Sequence, residues 1–265
     1  MQNSLILPDI HHAWEDAERL IQAHPDHTVV FLGDYFDCFA DNVNDAMRTA
    51  RWLGWSIKQP NRIHCLGNHD AWYFGTNRET DYCPGNSKQK RQGTLPHLKP
   101  ETWDVMRMHY WLTEGILCTH AGLHPCKLHP ILPHRNYLRR TEDEAKHACH
   151  ANLNHPYLHW GTRGGFQYIG GPLWLDWEDF TPIPEIHQIM GHSPRDTPQV
   201  KIGADGSVNV MLDASRRSNQ PCRYPGGHAV LNGRKLSLYT RNGLFREFTL
   251  KQFPQHPPTT PVNTA

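Results

Sequence analysis

Thr28-Val-Val-Phe-Leu-Gly-Asp-Tyr-Phe-Asp37 begins as a short β-branched and aromatic run, meets a glycine, and then turns polar at two aspartates. A run of this kind reads as a buried strand, and its polar end as a place where side chains leave the sheet. The pattern recurs in Ser4-Leu-Ile-Leu-Pro-Asp-Ile-His11, Arg62-Ile-His-Cys-Leu-Gly-Asn-His69 and Gly115-Ile-Leu-Cys-Thr-His120. A similar stretch is Ile186-His-Gln-Ile-Met-Gly-His192. Between the first two runs, Trp14, Ala17, Leu20 and Ile21 fall at helical spacing within 13–23. Between the second and third, Val43, Ala46, Met47, Ala50 and Leu53 repeat the stripe within 42–58. Strands alternating with helices predict a sheet with helices packed on it. Ligands of such sheets gather beyond the carboxyl ends of the strands, where every polar cluster here falls.

The bulk composition limits the function classes. A chain of 265 residues is long enough for a sizeable core. Its 27 basic and 26 acidic residues leave a net charge of +1, so no general attraction to a nucleic-acid backbone is expected. Seven scattered cysteines without a C-x-x-C pair argue against a disulfide framework and a zinc knuckle. Cys65 and Cys118, in apolar runs, read as small buried hydrophobes. There is no leader-like N-terminus and no apolar run of about 18 residues, which points to a cytoplasmic protein that does not enter a membrane. Most of the 20 histidines, many between residues 97 and 159, show no ligand spacing and read as surface or polar packing.

After His192 the texture changes. Asp205-Gly206, Asn232-Gly233 and Asn242-Gly243 separate strand-like stretches at 199–202, 208–212, 228–231, 235–240 and 244–250. Asn-Gly and Asp-Gly are strong hairpin signals, so this half is expected to be an antiparallel meander. Residues 74–100 and 123–171 carry no clear period and read as insertions over the site. One domain is expected over 1–251, followed by a proline- and threonine-rich flexible tail at 252–265. Trp72, Tyr73 and Phe74, just after His69, read as core packing in preference to a stacking surface for substrate.

Each polar cluster is weak alone. Asp9/His11 could be a capped strand end, Gly33-Asp34 a helix start, and Gly67-Asn68-His69-Asp70 a turn. Together they bring aspartate, asparagine and histidine to five strand ends in a fixed order. That donor mixture suits manganese, iron, zinc or nickel better than calcium.

The order D-x-H, G-D-x-x-D, G-N-H-D, H-A-G, G-H resembles the calcineurin-like metallophosphoesterase superfamily. Gly67-Asn-His-Asp70 and His120-Ala-Gly-Leu123 are most similar to its phosphoprotein-phosphatase and diadenosine-tetraphosphatase branch. The resemblance implies an α/β (α+β) fold: a two-sheet β-sandwich flanked by helices, four layers in all. It implies two transition-metal ions, manganese foremost. Asp9 and His11 would hold the first, Asn68, His120 and His192 the second, and Asp34 would bridge them. It also implies His69 as the acid that protonates the leaving group and Asp37 as the carboxylate that keeps it protonated and aimed. A metal-bridging hydroxide would attack phosphorus in line.

Several residues depart from the pattern. His12 replaces a glycine, placing an imidazole where backbone should approach the substrate, and Gly191-His192-Ser193-Pro194 lacks the second histidine of nuclease-like branches. Cys38 stands where protein phosphatases carry a phosphate-binding arginine, leaving Arg195, Arg163 and Asn68 as candidates for that contact. The expected activity is hydrolysis of small phosphomonoesters, with diesters left open. The alternatives are a dinucleoside polyphosphate or pyrophosphate hydrolase and a non-catalytic binding module on the same fold.

Overall fold

Each apolar run forms the strand its residues favour, and each strand stops short of its polar end. The computed structural model describes residues 3–38, 40–74, 83–113, 115–129, 134–151, 153, 155–158, 168–215 and 227–253. The chain runs β1 (Ser4–Leu7), α1 (Trp14–Ala23), β2 (Thr28–Phe31), α2 (Val43–Ser56) and β3 (Arg62–His64). It continues through α3 (Asn68–Phe74), α4 (Lys88–Thr94), α5 (Pro100–Val105), β4 (His109–Thr113), β5 (Ile116–Thr119) and α6 (His134–His150). The last strands are β6 (His187–Met190), β7 (Gln199–Ile202), β8 (Val208–Met211), β9 (Gly227–Asn232), β10 (Lys235–Thr240) and β11 (Gly243–Thr249).

These strands make two mixed sheets, ordered β11-β10-β9-β1-β2-β3 and β4-β5-β6-β8-β7. Strand alternation separates two faces of the first sheet. Ile6, Val30 and Leu32 meet Ile116, Cys118, Ile189 and Val210 of the second sheet in one buried cluster, so the sheets pack face to face. Leu5, Leu7, Val29 and Phe31 point the other way, onto Ala17 of α1 and Ala46, Ala50 and Leu53 of α2. Complete burial of a side chain such as Phe31 contributes roughly 1.5–3 kcal/mol. Asn42 starts α2 with a capping box: its side chain accepts from the Asn44 and Asp45 amides, and the Asp45 side chain accepts from its own. Cys65 and Cys118 are fully buried, as their apolar settings predict. Tyr73 is buried too, and Trp72 packs partly buried against the core.

Three expectations need correction. The hairpin-rich half is not a single meander, because β8 pairs parallel to β6 inside the second sheet while β9, β10 and β11 extend the first beyond β1. The insertions contain regular structure, above all the 17-residue α6. Its buried stripe is Leu138, Thr141, Glu142, Ala145, Ala148 and Cys149, helically spaced but too polar to register as an apolar period. Cys38, finally, is disulfide-bonded. The proline-rich tail from residue 254 onward lies outside the described residues. No helix among the described residues is long and apolar enough to cross a membrane.

Candidate active site

β1 and β2 run parallel, as do β2 and β3, β5 and β6, and β6 and β8. Their carboxyl ends therefore open on related edges of the two sheets, and the loops leaving them converge. Two groups of potential donors result: Asp9, His11 and Asp34, and Asp34, His120 and His192, with the atoms of each group within 4.8 Å of one another. Asp34 belongs to both. Its Oδ2 lies 3.4 Å from His120 Nε2 and 3.8 Å from His11 Nε2. Asn68 joins the second group, with its Oδ1 2.9 Å from both His120 Nε2 and His192 Nδ1. All six residues expected to hold metal therefore meet.

The contacts around these side chains set which atoms face inward. His120 Nδ1 lies 3.0 Å from the Leu32 carbonyl, so it carries the proton and leaves Nε2 as a lone pair. His11 Nδ1 faces the carbonyls of Phe36 and Asp37, which turns its Nε2 toward Asp34. Asp9 accepts the His192 amide on both oxygens at 3.0 Å. In neutral His120, a nitrogen lone pair then points at the Asn68 amide oxygen and the Asp34 carboxylate. Acceptors facing one another are stable around a cation.

The electrostatics agree. Burial, then the Asp213 carboxylate, pushes Asp9 up to about 7. Burial, followed by Asp9 and Asp70, pushes Asp34 well above the carboxylate range. Carboxylates so crowded ionise readily only beside compensating positive charge, so the donor set fits divalent metal ions.

Close approach explains two motif glycines. A Cβ on Gly67 would lie 2.0 Å from Asp34 Oδ1, and one on Gly33 would lie 2.4 Å from the Gly67 nitrogen. His11, His12, Asp34, Asp37 and His192 all take positive φ, between 39° and 73°. Left-handed backbone at non-glycine residues is uncommon and costs energy, and it collects where the fold must aim side chains.

His69 stands beside this cluster, its ring edge-on to His11 with centroids 5.3 Å apart. Its Nδ1 is 3.3 Å from Asp37 Oδ2, so its Nε2 is the atom left to meet a substrate. Burial, opposed by the Asp37 bond, lowers His69 from the usual histidine range. The His12 imidazole is likewise not where the pattern placed it. It turns away from the donor cluster to Thr49 Oγ1 at 2.8 Å and Asp41 Oδ2 at 2.7 Å. The Arg195 guanidinium is taken up by Glu178 and by the Pro194 carbonyl, and Arg163 lies outside the described residues.

Two carboxylates of the site received no role from the sequence: Asp70, which closes the Gly67-Asn-His-Asp70 motif, and Asp213. Asp70, fully buried, accepts the amides of Asp34, Tyr35 and Gly67 at 2.8, 2.8 and 2.9 Å. It ties the loop after β2 to the start of α3. Asp213 follows β8 as Asp34 follows β2, and its charge reaches Asp9. The signal was present, because Val208-Asn-Val-Met-Leu-Asp213 is another apolar run ending in a carboxylate. The neighbouring hairpin signals hid it.

The family model of the calcineurin-like phosphoesterases matches residues 3–205. Among solved structures, a cold-active protein-tyrosine phosphatase of the psychrophile Shewanella sp. superposes with a TM-score of 0.62 at 13% identity, over 95% of this chain and 81% of that one. A protein serine/threonine phosphatase from Saccharomyces cerevisiae superposes with a TM-score of 0.49 at 13% identity, over 97% and 81%. No curated protein sequence matches the chain. At 13% identity the likeness to the Shewanella structure is one of fold, but the family match spans most of the sequence and every donor up to His192. The chain belongs to the calcineurin-like phosphoesterases and is a metal-dependent phosphoester hydrolase.

Proposed function

We propose that the chain is a phosphatase with two metal ions, acting on small phosphomonoesters. The observation that carries this reading is the sharing of Asp34 between two donor groups. A carboxylate common to both groups would serve two cations at once. Asp9 and His11 would hold one ion, and Asn68, His120 and His192 would hold the other. Nitrogen and oxygen donors without thiolate suit manganese, iron, zinc or nickel, and manganese is the ion proposed. When bound, such a pair supplies Lewis acidity toward a phosphoryl group and lowers the pKa of water to about 7.

The remaining work belongs to the chain's own residues. His69, aimed by Asp37 through Nδ1, delivers a proton from Nε2 to the departing oxygen. Burial makes its imidazolium more acidic than a free histidine, which favours transfer once the leaving oxygen turns basic. Asp70 holds the Asp34 loop through three backbone amides. With Cys38 in the arginine position and Arg195 paired to Glu178, a protein serine/threonine phosphatase is the less fitting reading.

The test combines elemental analysis of the purified protein with rates on phenyl phosphate and on diadenosine tetraphosphate. About two transition-metal ions per chain and faster turnover of phenyl phosphate are expected. Faster cleavage of diadenosine tetraphosphate would instead favour the reading that His120-Ala-Gly-Leu123 raises. Trace metal, with no activation by added manganese, would leave a non-catalytic scaffold.

A further inference from the structure

Lys90 lies in the first turn of α4, within the first insertion. At 6% exposure it is an unusual lysine, since an ammonium is rarely buried unless paired. Its Nζ donates to Asp41 Oδ1 at 2.5 Å and to the Gly85 carbonyl at 2.5 Å. The same Nζ stands 3.6 Å from Asp37 Oδ1. Asp37 is wholly enclosed. Its Oδ1 accepts the Tyr73 hydroxyl at 2.7 Å, and its Oδ2 accepts the Asn86 amide and faces His69 Nδ1. Beyond Lys90, Asp41 Oδ2 meets the His12 imidazole, which is anchored on Thr49. A single ammonium thus stands between two buried carboxylates, one of which aims His69.

We propose that Lys90 is a positioning residue for the His69 acid: held by Asp41 and the Gly85 carbonyl, its ammonium fixes the Asp37 carboxylate in the orientation that aims the His69 ring. The proposal rests on the reading of His69 as the proton donor. It gives the first insertion a function, because α4 and its preceding turn bring the ammonium and the Asn86 amide to the same carboxylate, and the Gly85 carbonyl holds the ammonium. Lys90 does not touch substrate on this view. With so little of it exposed, it is closed to a phosphate group in solvent. Buried charges that lack partners are costly, so the anchoring of Nζ on two oxygens other than Asp37 makes the arrangement rigid and keeps it from collapsing onto one ion pair.

A double-mutant cycle on the metal-loaded enzyme tests this, using an alkyl phosphate and an aryl phosphate with an acidic phenol. Lys90→Met should lower kcat/KM on the alkyl ester by about 10–100-fold, part of the 10²–10⁴-fold that general acid catalysis supplies, and on the aryl ester by less than about 3-fold. Lys90→Arg should recover most of that loss, and metal content should stay at the wild-type level. In a His69→Ala background, Lys90→Met should cost nothing further on the alkyl ester, because a residue acting through His69 has nothing left to position. Should Lys90→Met fail to fold, the charge-matched Lys90→Met/Asp41→Asn variant carries the same expectations. Equal losses on the two esters, or additive losses in the cycle, would overturn the proposal and leave Lys90 a structural ion pair. If His69→Ala itself fails to discriminate between the esters, the reading of His69 falls and the proposal falls with it.

Discussion

Gly67→Ala probes how tightly the two donor groups are built around Asp34. The added Cβ would lie 2.0 Å from Asp34 Oδ1, 2.3 Å from Asp34 N and 2.8 Å from Asp34 Cγ. Even a weakly attractive carbon–oxygen contact sits at roughly 3.3 Å, so the carboxylate would have to retreat by more than about 1 Å. The backbone cannot absorb the clash cheaply. Asp34 N is bonded to Asp70 Oδ2 at 2.8 Å, and Asp34 Oδ1 accepts the His69 amide at 3.0 Å. Overpacking of this kind costs about 1–3 kcal/mol, which for a chain of this length lowers Tm by roughly 2–12 °C. The functional effect should be larger than the stability effect. A displacement of about 1 Å in a reacting group can cost about 10²-fold in rate, and a shared ligand moves for both ions at once. The assay is metal content per chain, thermal unfolding and kcat on phenyl phosphate, with Asp34→Asn as a variant that removes charge without adding bulk. Both variants should lose metal and activity together. A Gly67→Ala protein with a lowered Tm but wild-type metal content and rate would refute the claim that Asp34 serves both groups from this position.

Three further outcomes follow from the same geometry. Asp34→Asn should nearly abolish hydrolysis and exceed Asp9→Asn in severity, because only the former changes an anion common to both donor groups; equal, mild losses in kcat would show that Asp34 is not shared. His69→Ala should slow an alkyl phosphate by about 10²–10⁴-fold while nearly sparing an aryl ester with an acidic phenol, at unchanged metal content; a loss of metal would make His69 a ligand. Buried His64, stacked on Phe31 and bonded to Ser56 and Tyr35, is driven down to about 3 by burial and then by Arg62. Its folded value lies below the unfolded one of about 6.5, so the stability it contributes is complete above 6.5 and is lost as pH falls toward 3, by up to about 5 kcal/mol. His64→Phe should therefore flatten the fall in urea midpoint between pH 6.5 and 4.5, and curves that stay parallel to wild type would rule this out.

The strand ends were legible in the sequence because their information is local. An apolar run such as Thr28–Phe31 favours a strand wherever it lies, and the polar residue that follows must leave the sheet. Asp9, His11, Asp34, Asn68, His120 and His192 were visible for that reason, as were α1 and α2 through their apolar stripes. What only the tertiary structure decided is non-local. His192 donates its amide to Asp9 across 183 positions, a pairing that no spacing announces. The parallel placement of β8 beside β6 depended on which faces the two sheets could bury together, and it put Asp213 near Asp9 where hairpin signals suggested a plain meander. α6 escaped notice because its inward stripe includes Thr141 and the buried Glu142, which pairs with Lys146 one turn on and with His109 of β4, a partner that no local period announces. The left-handed backbone at His11, His12, Asp34, Asp37 and His192 was equally invisible. Such conformations are disfavoured residue by residue, and they persist only because packed strands and buried hydrogen bonds on both sides hold them.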